Sequence, residues 1–420
     1  MRICILGGGV IGVTTAYYLA REGHQVTLLE RHDRVAQEAS FANGAQLSYS
    51  YVAPLADPAV LPKLPAWLLS RDSALRFVPQ LDMQQWRWCL AFLRACTSAA
   101  SRAATTQLLS LSFLSRSLLH ELIATEGLQF DHVANGKLVV YRNPTGFAAA
   151  QRQMAYQAQL GCEQTALDAA GCVALEPALA HLHNEQNKEL AGGIHTPGED
   201  VGDCRKFTEG VAALAVAKHG VELRLGVKLI GLRRMEKRIV AVHTSAGDIE
   251  ADAFVTCLGV GSAAMLAPLG ITLPLYPLKG YSLTAPVREP EYAPRVSITD
   301  IDHKVVYAPL ADQLRVAGMV DLIGMSKTPD PARLALLRRH GKAMFERAAD
   351  FDVAREWCGM RPATPDSKPL IGATPYRNLW LNTGQGALGF TLACGSAQTL
   401  ADLVAGRAPR LDAKAFELGR

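Results

Sequence analysis

The chain has 420 residues, 49% apolar and 20% charged. At roughly 150 residues per domain, that length suits two or three globular domains. Its 43 Lys and Arg against 39 Asp and Glu leave a net charge of +4, too balanced for a nucleic-acid partner or an electrostatic arm.

The nine cysteines form no CxxC pair and no Cys/His cluster. That pattern predicts a reducing compartment, inert buried thiols and no metal centre. No apolar run reaches the roughly 18 residues of a membrane span. Three consecutive glycines interrupt the apolar N-terminal stretch, which argues against a signal peptide.

Residues 2–6 (RICIL) read as a buried parallel strand. GGGVIG follows, placing Gly7, Gly9 and Gly12 in a G-x-G-x-x-G frame with Val10 and Ile11 inside it. Ala16, Leu19 and Gly23 continue a helix, and QVTLLE is a second strand ending at Glu30 and followed by Arg31. This βαβ unit is a dinucleotide site. Gly7 permits the tight turn, Gly9 lets the backbone approach a pyrophosphate, and Gly12 lets helix and strand pack. Unpaired N–H groups at the helix start attract the phosphates, and Glu30 is placed for ribose hydroxyls. The motif alone does not separate NAD from FAD.

Residues 48–190 are rich in helix formers, with KLVVYR (137–142) a strand among them. In 60–80, Trp67, Leu68, Leu69 and Phe77 alternate with Lys63, Arg71 and Arg76, which suits either a membrane-surface segment or ordinary packing. WRWCLAFLRAC (86–96) reads as ordinary packing. A helix over 207–220 ends at Gly220, and short strands run to AFVTCLG, ending at Gly259. Residues 265–350 are β-like by alternation. Tyr281 and Tyr307, in this part, are candidates to bind a substrate carboxylate or amine; Lys279 reads as solvated. His132, His195 and His303 are scattered and receive no role.

GMRPATPDSKPLIG (359–372) reads as a Pro-rich turn carrying Arg361. A planar guanidinium there suits a bidentate carboxylate; the structural alternative is pairing with Asp366. Residues 378–406 are strand, glycine turn and long helix. Three separated βα pieces predict an α/β fold. Its discontinuous Rossmann-type domain comprises 1–47, 191–264 and 351–420. An inserted α+β substrate domain, a mixed sheet flanked by helices, comprises 48–190 and 265–350.

GGGVIG, EASFANGAQLS (38–48), VGDCRKFT (201–208), LPLYPLKGYSLT (273–284), GMRPATPDSKPLIG and LWLNTGQGALGFTLACGS together resemble the small subunit of D-amino-acid dehydrogenase. That family is a branch of the FAD-dependent amine oxidoreductases that also holds D-amino-acid oxidase, glycine oxidase and sarcosine oxidase. The likeness covers nearly the whole chain. It implies non-covalent FAD and oxidative deamination of D-amino acids to 2-oxo acids and ammonia, with hydride passing from the α carbon to flavin N5. It also implies that electrons pass on to a quinone or respiratory acceptor, from a cytoplasmic protein that can lie on the inner face of the bacterial plasma membrane. The alternative within the superfamily is an O2-using oxidase, or a dehydrogenase, of glycine, sarcosine or a cyclic imino acid such as D-hydroxyproline.

By the same resemblance, Gly7, Gly9, Val10, Ile11, Gly12, Glu30 and Arg31 would hold the ADP moiety. Ser40, Asn43, Gly44, Ala45 and Gln46 match the loop beside the flavin. Val227 would contact the adenine side, and Gly259 would lie near the pyrophosphate. Gly384, Gln385, Gly386, Leu388, Gly389 and Thr391 match the turn and helix start facing the isoalloxazine. Arg361 matches the arginine that binds the substrate carboxylate. The chain departs from the pattern at Gln385, where a His is common, and at Phe390, where a Trp is common.

Overall fold

A computed structural model describes residues 1–65 and 73–420. Its strands are β1 (Arg2–Leu6), β2 (Gln25–Leu29), β3 (Gln46–Leu47), β4 (Leu75–Phe77), β5 (Lys137–Tyr141), β6 (Thr165–Leu167), β7 (Gly192–Thr196), β8 (Asp200–Val201), β9 (Glu222–Arg224), β10 (Leu229–Met235), β11 (Arg238–Thr244), β12 (Gly247–Ile249), β13 (Ala253–Thr256), β14 (Tyr276–Pro286), β15 (Ser297–Asp300), β16 (Val305–Leu310), β17 (Gln313–Leu322), β18 (Arg355–Ala363), β19 (Leu370–Ala373) and β20 (Leu379–Thr383). The helices are α1 (Val10–Arg21), α2 (Met83–Ala95), α3 (Ser98–Glu126), α4 (Pro144–Ala158), α5 (Ala169–Leu175), α6 (Cys204–His219), α7 (Gly261–Leu266), α8 (Pro331–Phe345) and α9 (Gly389–Val404).

A six-stranded sheet has the order β19-β20-β13-β1-β2-β9. All its pairings are parallel except β19 with β20. Alternation along β1 divides two cores. Ile3 and Ile5 face α1, α3, α6 and α9, while Cys4 and Leu6 face the β10–β12 meander. Ends are set locally: Asp203 caps α6 by accepting from the Lys206 amide at 3.0 Å, and Gly220 closes it at φ +65°.

The second sheet is nine-stranded, with β18-β14-β17-β16-β15-β5-β7-β6 in order and β4 added beside β17. One face buries Leu283, Val305 and Val316 against Leu334, Leu337 and Met344 of α8. The other face roofs a large cavity. The fold is thus a Rossmann-type sheet joined to a mixed α+β unit.

Three boundaries differ from the sequence reading. β18 and β7 belong to the nine-stranded sheet, not to the nucleotide domain into which 351–420 and 191–264 were expected to fall. α3, expected within the substrate domain, packs its Leu108, Leu111 and Leu118 into the core around α1 and α9. The alternation of a strand reports its two faces, not which sheet it joins.

Candidate active site

The cavity has a volume of about 1610 Å³ and runs from the Gly7–Val10 turn to the roof formed by β14, β17 and β18. That exceeds the roughly 300–1,000 Å³ of a drug-sized pocket and leaves room for a dinucleotide plus substrate.

At one end, β1 turns into α1 through Gly7, whose φ is +108°. A Cβ on Gly7 would lie 2.7 Å from the Cys257 carbonyl oxygen, and one on Gly12 would lie 1.8 Å from the Gly7 carbonyl oxygen. Gly12 therefore seats α1 on the strand and does not itself line the cavity. Gly9, Val10 and Ile11 do line it. The Val10 amide donates to Ser40 Oγ at 3.0 Å. Glu30 accepts from the Gly8 amide at 2.7 Å and the His32 amide at 3.0 Å, so its carboxylate is fixed at the end of β2. Arg31 lines the cavity and is ion-paired with Glu38. The Val227 amide donates to the Glu30 carbonyl at 2.9 Å, and the cavity wall there is Lys228 and Leu229 rather than Val227. Gly259 (φ +54°) lines the cavity nearby.

The middle of the cavity is formed by the 38–48 loop and the start of α9. Asn43 Oδ1 accepts from the Ala45 amide at 3.0 Å, and Ala45 takes φ +57°. Gly44 passes so close beneath the roof that an added Cβ would touch Val306 at 3.4 Å. The roof grips this loop: Ser282 Oγ donates to the Ala42 carbonyl at 2.6 Å and Arg315 to the Asn43 carbonyl at 2.9 Å. Across the cavity, Thr391 Oγ1 accepts from the Ser48 amide at 3.0 Å. Gln385, Gly386, Leu388 and Gly389 line the wall, whereas Gly384 packs against Leu275 and Thr364 behind it. Gln385 donates to Asn382 Oδ1 at 2.7 Å, which fixes its amide. The residues at the N-terminus of α9 thus face the cavity, an environment that favours negative charge.

Lys137, absent from the sequence reading, lines the same region. Its Nζ donates to Gln46 Oε1 at 3.0 Å and Ser48 Oγ at 2.9 Å. Burial pushes its ammonium down to about 8, against the charge of Glu199. Burial likewise pushes the Glu199 carboxyl up to about 7, against Lys137. A lysine opening an otherwise apolar strand was the available signal.

At the far end, Arg361 lies on the edge strand β18, paired with Leu278 of β14, not in a turn. The Pro-rich turn comes after it. Edge strands tolerate proline, so Pro362 does not break the pairing. The guanidinium occupies the space a side chain at residue 280 would need: a Cβ on Gly280 would sit 2.3 Å from Arg361 Nη2. Nη1 donates to the Met319 carbonyl at 2.9 Å. Met319 has φ +67° beside a register shift between β14 and β17, and this bulge redirects the strand locally. Asp366 instead pairs with Lys368 and Arg420. Burial pushes the Arg361 guanidinium down to about 10, opposed by Asp321. Asp321 is itself bound by Arg76 at 2.7 Å and Arg333 at 2.8 Å. Among the described residues, no carboxylate forms an ion pair with Arg361. A buried cation without a counter-ion is costly, and an incoming carboxylate relieves that cost.

Of the two tyrosines, Tyr281 contributes to the cavity lining and Tyr307 does not. The Tyr281 ring packs on the α8 side of the sheet and its hydroxyl donates to Asp321 at 2.8 Å. Tyr307 lies on that same side, its ring 5.1 Å from Phe345 and its hydroxyl donating to the His340 carbonyl at 3.2 Å. Lys279, read as solvated, is buried and donates to the Thr328 carbonyl. Trp67, Leu68, Leu69 and Arg71 of the 60–80 segment lie outside the described residues. Arg76 is bound by Asp321 and Asp330. In 86–96, Trp88 and Phe92 pack inward as expected, but Trp86 and Leu90 face outward, and Leu93 is exposed while bordering the cavity.

Residues 2–403 match the family model described as DAO, FAD dependent oxidoreductase. A protein named D-amino acid dehydrogenase 2 from Ralstonia nicotianae is 48% identical, with 100% of each chain covered. A D-amino acid dehydrogenase 2 from Pseudomonas aeruginosa is 47% identical, over 98% of this chain and 96% of its own. Among solved structures, glycine oxidase from Geobacillus kaustophilus superposes with a TM-score of 0.78 at 20% identity, covering 100% of this chain and 99% of its own. L-Proline dehydrogenase from P. horikoshii superposes at 0.74 and 16% identity, covering 99% and 96%. At these identities the structures speak for the fold, and the curated relatives for the branch. The chain belongs to the DAO family of FAD-dependent oxidoreductases, among its D-amino acid dehydrogenases.

Proposed function

We propose that this chain oxidises D-amino acids to 2-oxo acids and ammonia and hands the electrons to a membrane quinone. The observation that carries the substrate half is Arg361, a buried guanidinium at the end of the cavity with no ion-paired carboxylate among the described residues. The cavity fits FAD. Gly9, Val10 and Ile11 set the start of α1 against the cavity, Gly7 and Gly12 pack strand and helix too closely for a Cβ, and the fixed Glu30 carboxylate stands beside them. When bound, FAD supplies the hydride acceptor for oxidation of the Cα–N bond.

The chain's own residues bind and orient. Arg361 holds the substrate carboxylate through parallel N–H donors. The α9 N-terminus stabilises negative charge that develops across the cavity. Lys137 fixes the 38–48 loop through Gln46 and Ser48. The released imino acid needs only water for hydrolysis.

The acceptor half rests on α2. Met83, Trp86, Leu90 and Leu93 are 65%, 47%, 49% and 47% exposed. Their spacing puts them on one helical face, with Arg87 and Arg94 exposed alongside. The inward side of α2, at Trp88, Cys89 and Phe92, lines the cavity, and Leu93 at the border of the two faces lines it too. An apolar outer face with arginines beside it suits an anionic bilayer surface. A lipid-soluble acceptor then meets the cavity wall from the membrane side, in a protein peripheral to the inner face of the plasma membrane.

Anaerobic mixing with D- and L-amino acids, glycine, sarcosine and D-hydroxyproline tests the substrate half through loss of the visible flavin absorbance. Reduction by D-amino acids, with faster reoxidation by quinone than by air, is expected. Reduction by glycine or sarcosine alone, with rapid peroxide formation in air, would overturn the proposal.

A further inference from the structure

A second cluster of ligating side chains lies apart from the cavity. Asp200 is on β8, which pairs antiparallel with the flavin-loop strand β3, opposite Leu47. His132 is brought to it by a bridge between neighbouring residues: the Val133 amide donates to the Val201 carbonyl at 3.1 Å, and the Val201 amide to the Val133 carbonyl at 3.0 Å. His120 comes from α3. His120 Nε2 lies 2.7 Å from Asp200 Oδ2, and His132 Nε2 lies 3.2 Å from the same oxygen. One ligand atom from each of the three residues falls within 4.8 Å of the others.

Hydrogen bonding alone uses this cluster poorly. Asp200 Oδ2 already accepts from the Tyr49 hydroxyl at 3.1 Å and faces His120 Nε2. His132 Nε2 is buried, yet its approach to Asp200 lacks hydrogen-bond geometry, which leaves that nitrogen without a partner. A cation held between the two rings and the carboxylate would use all three groups. Two imidazoles and one carboxylate form a donor set for a Zn²⁺-class ion, not for Ca²⁺ or Mg²⁺.

The geometry is close to what such an ion needs. Zn–N and Zn–O bonds of about 2.0–2.2 Å place tetrahedral donors about 3.3–3.5 Å apart. The separation to His132 is nearly there, and that to His120 must open. The His120 side chain is 44% exposed and has room to turn. The same exposure leaves a coordination position for water on the solvent side. Asp200 and His132, by contrast, are held by backbone pairing, and Tyr49 orients the carboxylate oxygen.

We propose that His120, His132 and Asp200 bind one divalent transition-metal cation, which clamps α3 and the segment before β5 onto the strand backing the flavin loop. None of the three residues lines the cavity, so the cation takes no part in the oxidation. The test uses tag-free, FAD-loaded protein stripped with a chelator. Zn²⁺ is titrated by calorimetry and Co²⁺ by visible spectroscopy. One equivalent per chain, a raised unfolding temperature and the intense visible bands of a low-coordinate Co²⁺ site are expected. His120→Ala and His132→Ala should each weaken uptake by at least about tenfold and abolish the thermal shift. Failure of the native protein to take up either ion would overturn the proposal, as would equal uptake by His120→Ala. Should His132→Ala not fold, the exposed His120 variant still decides.

Discussion

Gly280→Ala isolates the geometry of the carboxylate grip. The added Cβ would lie 2.3 Å from Arg361 Nη2, 2.5 Å from Cζ and 2.6 Å from Nη1. Non-bonded carbon contacts settle near about 3.5–4.0 Å, so the guanidinium must retreat by about 1 Å. It is the far end of a long side chain, tied to the Met319 carbonyl, and Gly280 is not in the left-handed region, so side-chain movement absorbs the change. The carboxylate contact does not. Losing one well-placed charge-assisted pair costs about 1.5–3 kcal/mol, which is about 10–150-fold in kcat/KM. The assay is steady-state turnover of a D-amino acid with a soluble artificial acceptor, alongside flavin content and unfolding temperature. Expected are normal flavin loading, a near-normal unfolding temperature and a depressed kcat/KM. Native kcat/KM in a fully flavinylated Gly280→Ala protein would refute the reasoning, because the guanidinium would then not need that space.

Gly12→Ala should prevent FAD retention, since its Cβ would meet the Gly7 carbonyl oxygen at 1.8 Å and backbone must move; the ratio of flavin to protein absorbance checks this. Glu199 has its carboxyl raised from 4.5 to about 7 by burial, so the folded state holds that proton more tightly and stability falls as pH rises between those values. Glu199→Gln should flatten the fall, read as unfolding temperature against pH. Paired Trp86→Glu and Leu90→Glu substitutions should abolish co-sedimentation with anionic vesicles and slow quinone reduction, while turnover with a soluble acceptor stays native; unchanged vesicle binding would exclude α2 as the contact.

Parts of this architecture that demand a particular residue were legible in the sequence. The β1–α1 turn admits only glycine at Gly7 and Gly12, and the motif announces it. Arg361 stood out as a fixed cation, but its neighbours misled: Pro362 sits in an edge strand, where proline costs little. Tyr307 misled for a different reason, while Tyr281 does reach the cavity lining. On a two-faced sheet, a strand's composition does not say which face meets a cavity and which meets α8, and adjacent residues point oppositely. Val306 faces the flavin loop while Tyr307 faces Phe345. Lys137 was hidden because its partners, Gln46, Ser48 and Glu199, are distant in the chain. The same holds for His120, His132 and Asp200, of which the Val133–Val201 bridge brings the last two together.

The roof holds the flavin loop by its carbonyls, through Ser282 to Ala42 and Arg315 to Asn43. Opening the two sheets like a clamshell would strip a buried guanidinium and a buried hydroxyl of their acceptors at once. Hinge motion between the sheets therefore carries the cost of leaving both donors unsatisfied.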